Sequence, residues 1–168
     1  MFLLINATSK LFDMAQVNEG DITGWNFEAG TPMGSKQLLD HLLPYLYIYK
    51  NCGNDSRLCT GGKTYTTLSK NYAGGTYNPN NDDYAKVLLT DKSLIFVKST
   101  YGSNCDGVLG SSKALQSVCG EINIDVNAEV GPNRYGYDTF FFYITKEGIV
   151  PFGTQAENTN LTTLCNIY

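Results

Sequence analysis

The sequence predicts an α+β domain in which an N-terminal helix packs on a small antiparallel β-sheet. Three observations predict it. Residues 1–19 carry apolar side chains at helical spacing. Two short apolar runs flank Asp91-Lys92 in a hairpin pattern. Two further strands, around Ile122 to Val126 and Phe140 to Ile144, bracket a loop rich in turn residues and side-chain oxygens.

In the N-terminal segment Leu4, Ala7, Leu11 and Met14 follow a three-four spacing, and Ile5, Phe12 and Ala15 widen the stripe. Gly20 is the stop signal. Asp21 to Met33 reads as a loop around the only tryptophan, Trp25, which is expected to plug the junction between helix and domain. Ser35 to Leu43 predicts a second, short helix ended by Pro44, followed by an extended run from Tyr45 to Tyr49. His41 is the only histidine. It has no Gly-x-Ser-x-Gly or Cys-His companion, so catalysis by it is not expected.

Residues 50–84 are loop-rich, with a short strand expected at Thr64 to Leu68 and an exposed, mobile loop at Asn71 to Asp83. Gly61-Gly62-Lys63-Thr64 lacks the upstream glycine and feeding strand of a phosphate loop. Lys86 to Thr90 and Ser93 to Lys98 form the hairpin, and Tyr101 to Ser117 is a Gly- and Ser-rich connection. In the next strand Ile122, Ile124 and Val126 alternate with Glu121, Asn123 and Asp125, the pattern of a half-buried strand. Phe140, Phe142 and Ile144 on one face, with Phe141 and Tyr143 on the other, predict a strand covered on both sides. Lys146-Glu147-Gly148 turns the chain into Ile149-Val150, and Pro151 ends or edges that strand.

The 168 residues fit one domain, 1–168, with no repeat or second composition regime. Charged residues are 17%, against about a quarter in an average soluble protein. The surface this implies, rich in Tyr, Asn and Thr, is common in extracellular proteins. A net charge of −4 and the lack of any run of five like charges argue against a nucleic-acid partner. Met1 to Ile5 is too short to span a bilayer.

Five cysteines in such a chain point to an oxidising compartment. Spacing favours Cys52–Cys59 and Cys105–Cys119, each closing a short, turn-rich loop, although connectivity is not determined by sequence. Zinc is the alternative, and no Cys-x-x-Cys pair supports it. Cys165 is left over: free, paired across molecules, or partnered in another pattern. Sequons stand at Asn6, Asn54 and Asn160 and matter only where the source glycosylates.

The loop between the last long strands places Asp125, Asn127 and Glu129 two apart, then Gly131, Pro132, Asn133, Gly136 and Asp138. A loop that curls in this way can point several oxygens at one centre, as Ca²⁺ requires. The commoner fate of such residues is to cap their own backbone through Asx-turns. The twelfth position, where an EF-hand loop carries its bidentate Glu, is Gly136. Asp125, Asn127, Glu129, Asn133 and Asp138 are therefore a candidate calcium set with a purely structural alternative.

Asp125-Val-Asn127, Gly131-Pro-Asn133 and Gly136-Tyr-Asp138, followed by an aromatic strand, resemble the C-terminal part of bacterial type IV pilin-like proteins, pseudopilins with a prepilin N-terminus above all. The family's Asp-x-Asn-Gly has Ala128 in place of its glycine here. The resemblance extends to the helix, Trp25, the Leu-Pro-Tyr run at Leu43 to Tyr45 and the hairpin. It implies a pilin-like layout with a long N-terminal helix, of which residues 1–19 are the lower half, the membrane-spanning upper half lying upstream of Met1.

The function so implied is structural. The chain would assemble with homologous subunits into a type IV pilus or secretion-type pseudopilus, reaching an inner-membrane assembly platform through its missing N-terminal segment. It would be anchored in the membrane before assembly and then lie at the cell surface or in the periplasm. Some pseudopilins bind calcium, which keeps that ion as a candidate cofactor. The alternative is a secreted or surface-displayed adhesin using the Tyr-rich loops. An enzyme would have only scattered carboxylates to work with, so no catalytic residue is assigned.

Overall fold

The computed structural model describes residues 2–55, 57–67, 78–128 and 130–152. Helix α1 covers Phe2–Glu19 and helix α2 covers Pro32–Leu42. Six strands follow in chain order: β1 Ile48–Gly53, β2 Ala85–Leu89, β3 Leu94–Lys98, β4 Val118–Asp125, β5 Thr139–Thr145 and β6 Gly148–Pro151. Each pairs antiparallel with the next, so the sheet is a six-stranded meander in sequence order.

Gly20 stops α1 by adopting φ 87°, a conformation open to glycine and strained for other residues, while its N–H still reaches Gln16 O. Trp25 then folds back. Its indole N–H donates to Gly20 O at 3.0 Å, and its ring meets Phe12 at 5.8 Å and stacks on His41 at 4.7 Å. The plug expected of Trp25 is thus formed, with 5% of the residue exposed. α2 begins three residues before the expected Ser35. Thr31 is its N-cap, accepting from Gly34 N at 2.9 Å, and Pro32 occupies the first turn, where its missing N–H costs nothing.

The expected layout, a long N-terminal helix on a small sheet in the pilin-like manner, is corrected. The helices among the described residues are two, of 18 and 11 residues, and the six-stranded sheet is the body of the domain. Within the described side chains α1 buries only Thr8, Phe12 and Ala15, while Leu11 is half-buried. α2 covers the sheet beside it with Leu38, Leu39 and Leu42. Leu4 and Ile5 lie outside the described side chains.

The two faces of the sheet carry different cores. Under the helices lie Ala85, Val87, Ile95, Val97, Ile122, Ile124, Phe142 and Ile144. On the other face Leu88, Leu94, Phe96, Phe141 and Tyr143 meet Tyr65, Tyr84, Leu115, Ala128 and Tyr135, which come from the connecting loops. The half-buried reading of β4 is corrected by this second layer: all eight residues of β4 are buried. Alternation correctly separated its two faces, but loops rather than water cover the polar one. β5 is covered on both sides as expected, and β6 with Pro151 forms the edge. Of the strand expected at Thr64 to Leu68, residues 64–67 are described and carry a single bridge, from Thr66 to Arg134; Leu68 lies outside the described residues.

Both expected disulfides are present. Cys52–Cys59 ties the end of β1 to the loop after it, and Cys105–Cys119 ties the β3–β4 connection to β4. Cys165 and Asn160 lie outside the described residues.

Gly34 is the tightest point between α2 and its preceding loop. A Cβ there would lie 1.9 Å from the Glu28 carbonyl oxygen. Gly34→Ala is expected to cost about 3 kcal/mol through forced separation of the two segments, read as a lowered urea midpoint at unchanged m-value. A loss below about 1 kcal/mol would show that the helix shifts freely.

Candidate functional site

On the loop-covered face of the sheet, β4 presents Glu121, Asn123 and Asp125 in one row, all buried. A buried carboxylate needs donors, and the loops supply them. Tyr84 Oη donates to Glu121 Oε2 at 3.0 Å, Thr100 Oγ1 donates to Glu121 Oε1 at 3.2 Å, and Tyr65 Oη donates to Asp125 Oδ2 at 2.9 Å. Asn123 lies between Phe96 and Phe141 in the sheet register, and neither atom of its side-chain amide has a partner among the described residues. Lys86, also fully buried, donates to the carbonyls of Asn54, Asn81 and Tyr84 at 3.3, 3.1 and 2.9 Å.

Burial sets the titration of this array. It pushes the Glu121 carboxyl up against the opposing pull of Lys98 and the two hydroxyl donors. It pushes Asp125 up as well, opposed by the Asn127 N–H and Tyr65 and reinforced by Asp138. It brings the Lys86 ammonium down to about 8, despite the attraction of Asp82, Asp55 and Asp83. Tyr65 is raised by the same burial, with Asp125 adding to it.

The candidate calcium residues are distributed around this array. Asp125 ends β4 and its Oδ1 accepts Asn127 N at 3.1 Å, an Asx-turn. Asp138 is buried and accepts Asn133 N at 2.9 Å and Arg134 N at 2.5 Å. Asn133 is buried at φ 51°, after a cis Gly131–Pro132 bond. Glu129 lies outside the described residues. Lys63 donates to the carbonyl of Ala128. Thr66 clamps the loop from the same side, giving its N–H to Asn133 O at 3.0 Å and accepting from Tyr135 N at 2.9 Å.

The loop therefore brings Asp125 and Asp138 close enough to interact, and leaves the Oδ1 atoms of Asn127 and Asn133 buried without partners among the described residues. Those four side chains could contribute oxygens to a hard cation. Each carboxylate oxygen, however, already accepts from an N–H or O–H, and the Lys63 ammonium stands beside the loop. Among the described residues no group of three or more His, Cys, Asp or Glu could hold a metal ion. The donor set thus fits the Asx-turn reading better than the calcium one.

His41 lies away from this array. Nδ1 is 2.5 Å from Glu19 Oε2 and Nε2 is 3.1 Å from Trp25 O, while Tyr45 Oη donates to Glu19 Oε1 at 3.2 Å. These contacts join the C-terminal ends of α1 and α2. Sequence reading missed Tyr65, Tyr84 and Lys63 from the loops and Lys86 from β2. Lys86 broke the apolar alternation of its strand and was the one available signal.

Compared with known proteins, the chain matches no family model, no curated protein and no solved structure. The two disulfides are consistent with an extracellular or periplasmic protein. No helix among the described residues is long and apolar enough to cross a membrane.

Two outcomes follow from these bonds. The folded state holds the Glu121 and Asp125 protons more tightly than the unfolded chain does, so these groups add stability as pH falls from their raised values toward the ordinary 4.5 and 3.8. Glu121→Gln is expected to flatten the rise in urea midpoint on going from neutral pH toward 4.5; a slope identical to that of the unaltered protein would refute the assignment. For the loop, equal melting temperatures in millimolar Ca²⁺ and in chelator are expected. A rise with free Ca²⁺ that Asp125→Ala abolishes would instead establish an ion site.

Proposed function

We propose that this chain is an exported structural subunit of a type IV pilus or secretion-type pseudopilus, without catalytic activity, that assembles with homologous subunits through α1. The observation that carries this reading is the outward face of α1, where Met14 is 52% and Val17 83% exposed. Large apolar side chains left on an otherwise folded helix favour burial against a partner. The loop motifs Asp125-Val-Asn127, Gly131-Pro-Asn133 and Gly136-Tyr-Asp138 support the choice of assembly, and the disulfides support an oxidising compartment. The reading rests on the helix face and these motifs, not on the layout of the domain.

The internal bonding of the polar array also favours a structural role. Glu121, Asp125 and Lys86 are each held by groups of the chain itself, as befits a rigid body. A second reading, a secreted or surface-displayed binding module, draws on β1. Tyr49 in that strand and Tyr47 just before it are 66% and 86% exposed at the end of the sheet.

Sedimentation velocity separates the readings. The protein is expected to associate as concentration rises, and the double variant M14E/V17E to remain monomeric with an unchanged circular dichroism spectrum, because both positions face solvent. A protein that stays monomeric at every attainable concentration would count against the subunit reading.

A further inference from the structure

An apolar cavity of about 210 Å³ opens between the first half of α1, the Tyr45 turn and the β2–β3 hairpin. Ile95 and Ile124 are buried at the cavity, Leu11, Leu46 and Leu89 are half-buried around it, and Asp91 brings a negative charge. Asp91 Oδ1 accepts Ser93 N at 2.9 Å and Ser93 Oγ at 2.6 Å. Its Oδ2 has no partner among the described residues.

A complementary surface lies on the same molecule. Lys10, Met14 and Val17 follow i, i+4, i+7 along α1, on the side away from the buried Thr8, Phe12 and Ala15. Lys10 is exposed and makes no ion pair among the described residues. The stripe thus offers one cation followed by two apolar side chains, and the groove offers one carboxylate beside an apolar surface.

We propose that the Lys10–Met14–Val17 stripe of one copy seats in the groove of a second copy, with Lys10 paired to Asp91. The inference rests on the assembly reading above and names its partner surface. The occupant is a second copy because the same chain carries both halves of the match, in charge as well as in apolar character. The contact either repeats head to tail along an open chain, each copy using its stripe toward one neighbour and its groove toward the other, or closes as a two-fold pair in which each copy's stripe enters the other's groove.

Charge reversal tests it. K10E and D91K, measured separately by sedimentation velocity, are each expected to weaken self-association by at least about 10-fold, because like charges then meet. An equimolar mixture restores opposite charges at every contact and is expected to recover association, as is the double variant K10E/D91K. A mixture that stays dissociated while the unaltered protein associates would overturn the docking. Association unaffected by either reversal would overturn it too, while leaving the assembly reading standing; an unaltered protein that never associates would remove both. If D91K disturbs the hairpin by circular dichroism, D91N serves instead, with an expected weakening of about 3-fold and no weakening as the contrary result.

Discussion

Burying β4 on both faces obliges every polar group it carries to find a partner inside the protein, and the loop layer is built to meet that demand. An unpaired carboxylate in such a place would cost several kcal/mol. Tyr84 and Thr100 answer Glu121, and Tyr65 answers Asp125. These residues come from chain segments far apart in sequence, so satisfying one strand also determines where several loops must lie. Lys86 acts in reverse: its ammonium gathers three backbone carbonyls of the β1–β2 connection. Asn123, with both amide atoms unpartnered among the described residues, is the exception in the row.

The position of the loop layer depends in turn on links that sit outside the sheet. Cys52–Cys59 fixes the start of the segment that carries Lys63, Tyr65 and Thr66. That segment then holds the 125–138 loop through the Ala128 carbonyl and the Thr66 backbone. On the opposite side of the sheet, Trp25 and His41 play a comparable part. Trp25 stacks on His41, His41 meets Glu19, and Tyr45 meets Glu19, so the ends of α1 and α2 share one cluster. With its C-terminal end held there, α1 turns Met14 and Val17 to solvent.

A division of labour follows from this arrangement. The polar chemistry of the chain is directed inward, into bonds that hold loops onto a sheet. The surface features with no internal role combine apolar side chains with single charges: the stripe on α1 with Lys10, the groove beside it with Asp91, and Tyr47 and Tyr49 at the start of β1.

By itself the sequence determined the local elements and their pairing. Asp91-Lys92 specified the β2–β3 hairpin, Lys146-Glu147-Gly148 specified the turn into β6, and the doubly apolar run from Phe140 to Ile144 identified a buried strand. Cysteine spacing identified both disulfides, and a lone tryptophan after a helix stop identified the plug. These are short-range matters, settled by turn geometry and by which side chains share a face. Tertiary structure alone decided what covers each face. Glu121, Asn123 and Asp125 had the spacing of a solvent-facing row, and they are buried because Tyr65, Tyr84 and Tyr135 arrive from distant loops. The long helix on a small sheet gave way to two short helices on a six-stranded one because β1 and β6 both pair into the same meander. Periodicity reports which residues lie on one side of an element, and carries no information about what the rest of the chain will lay against them.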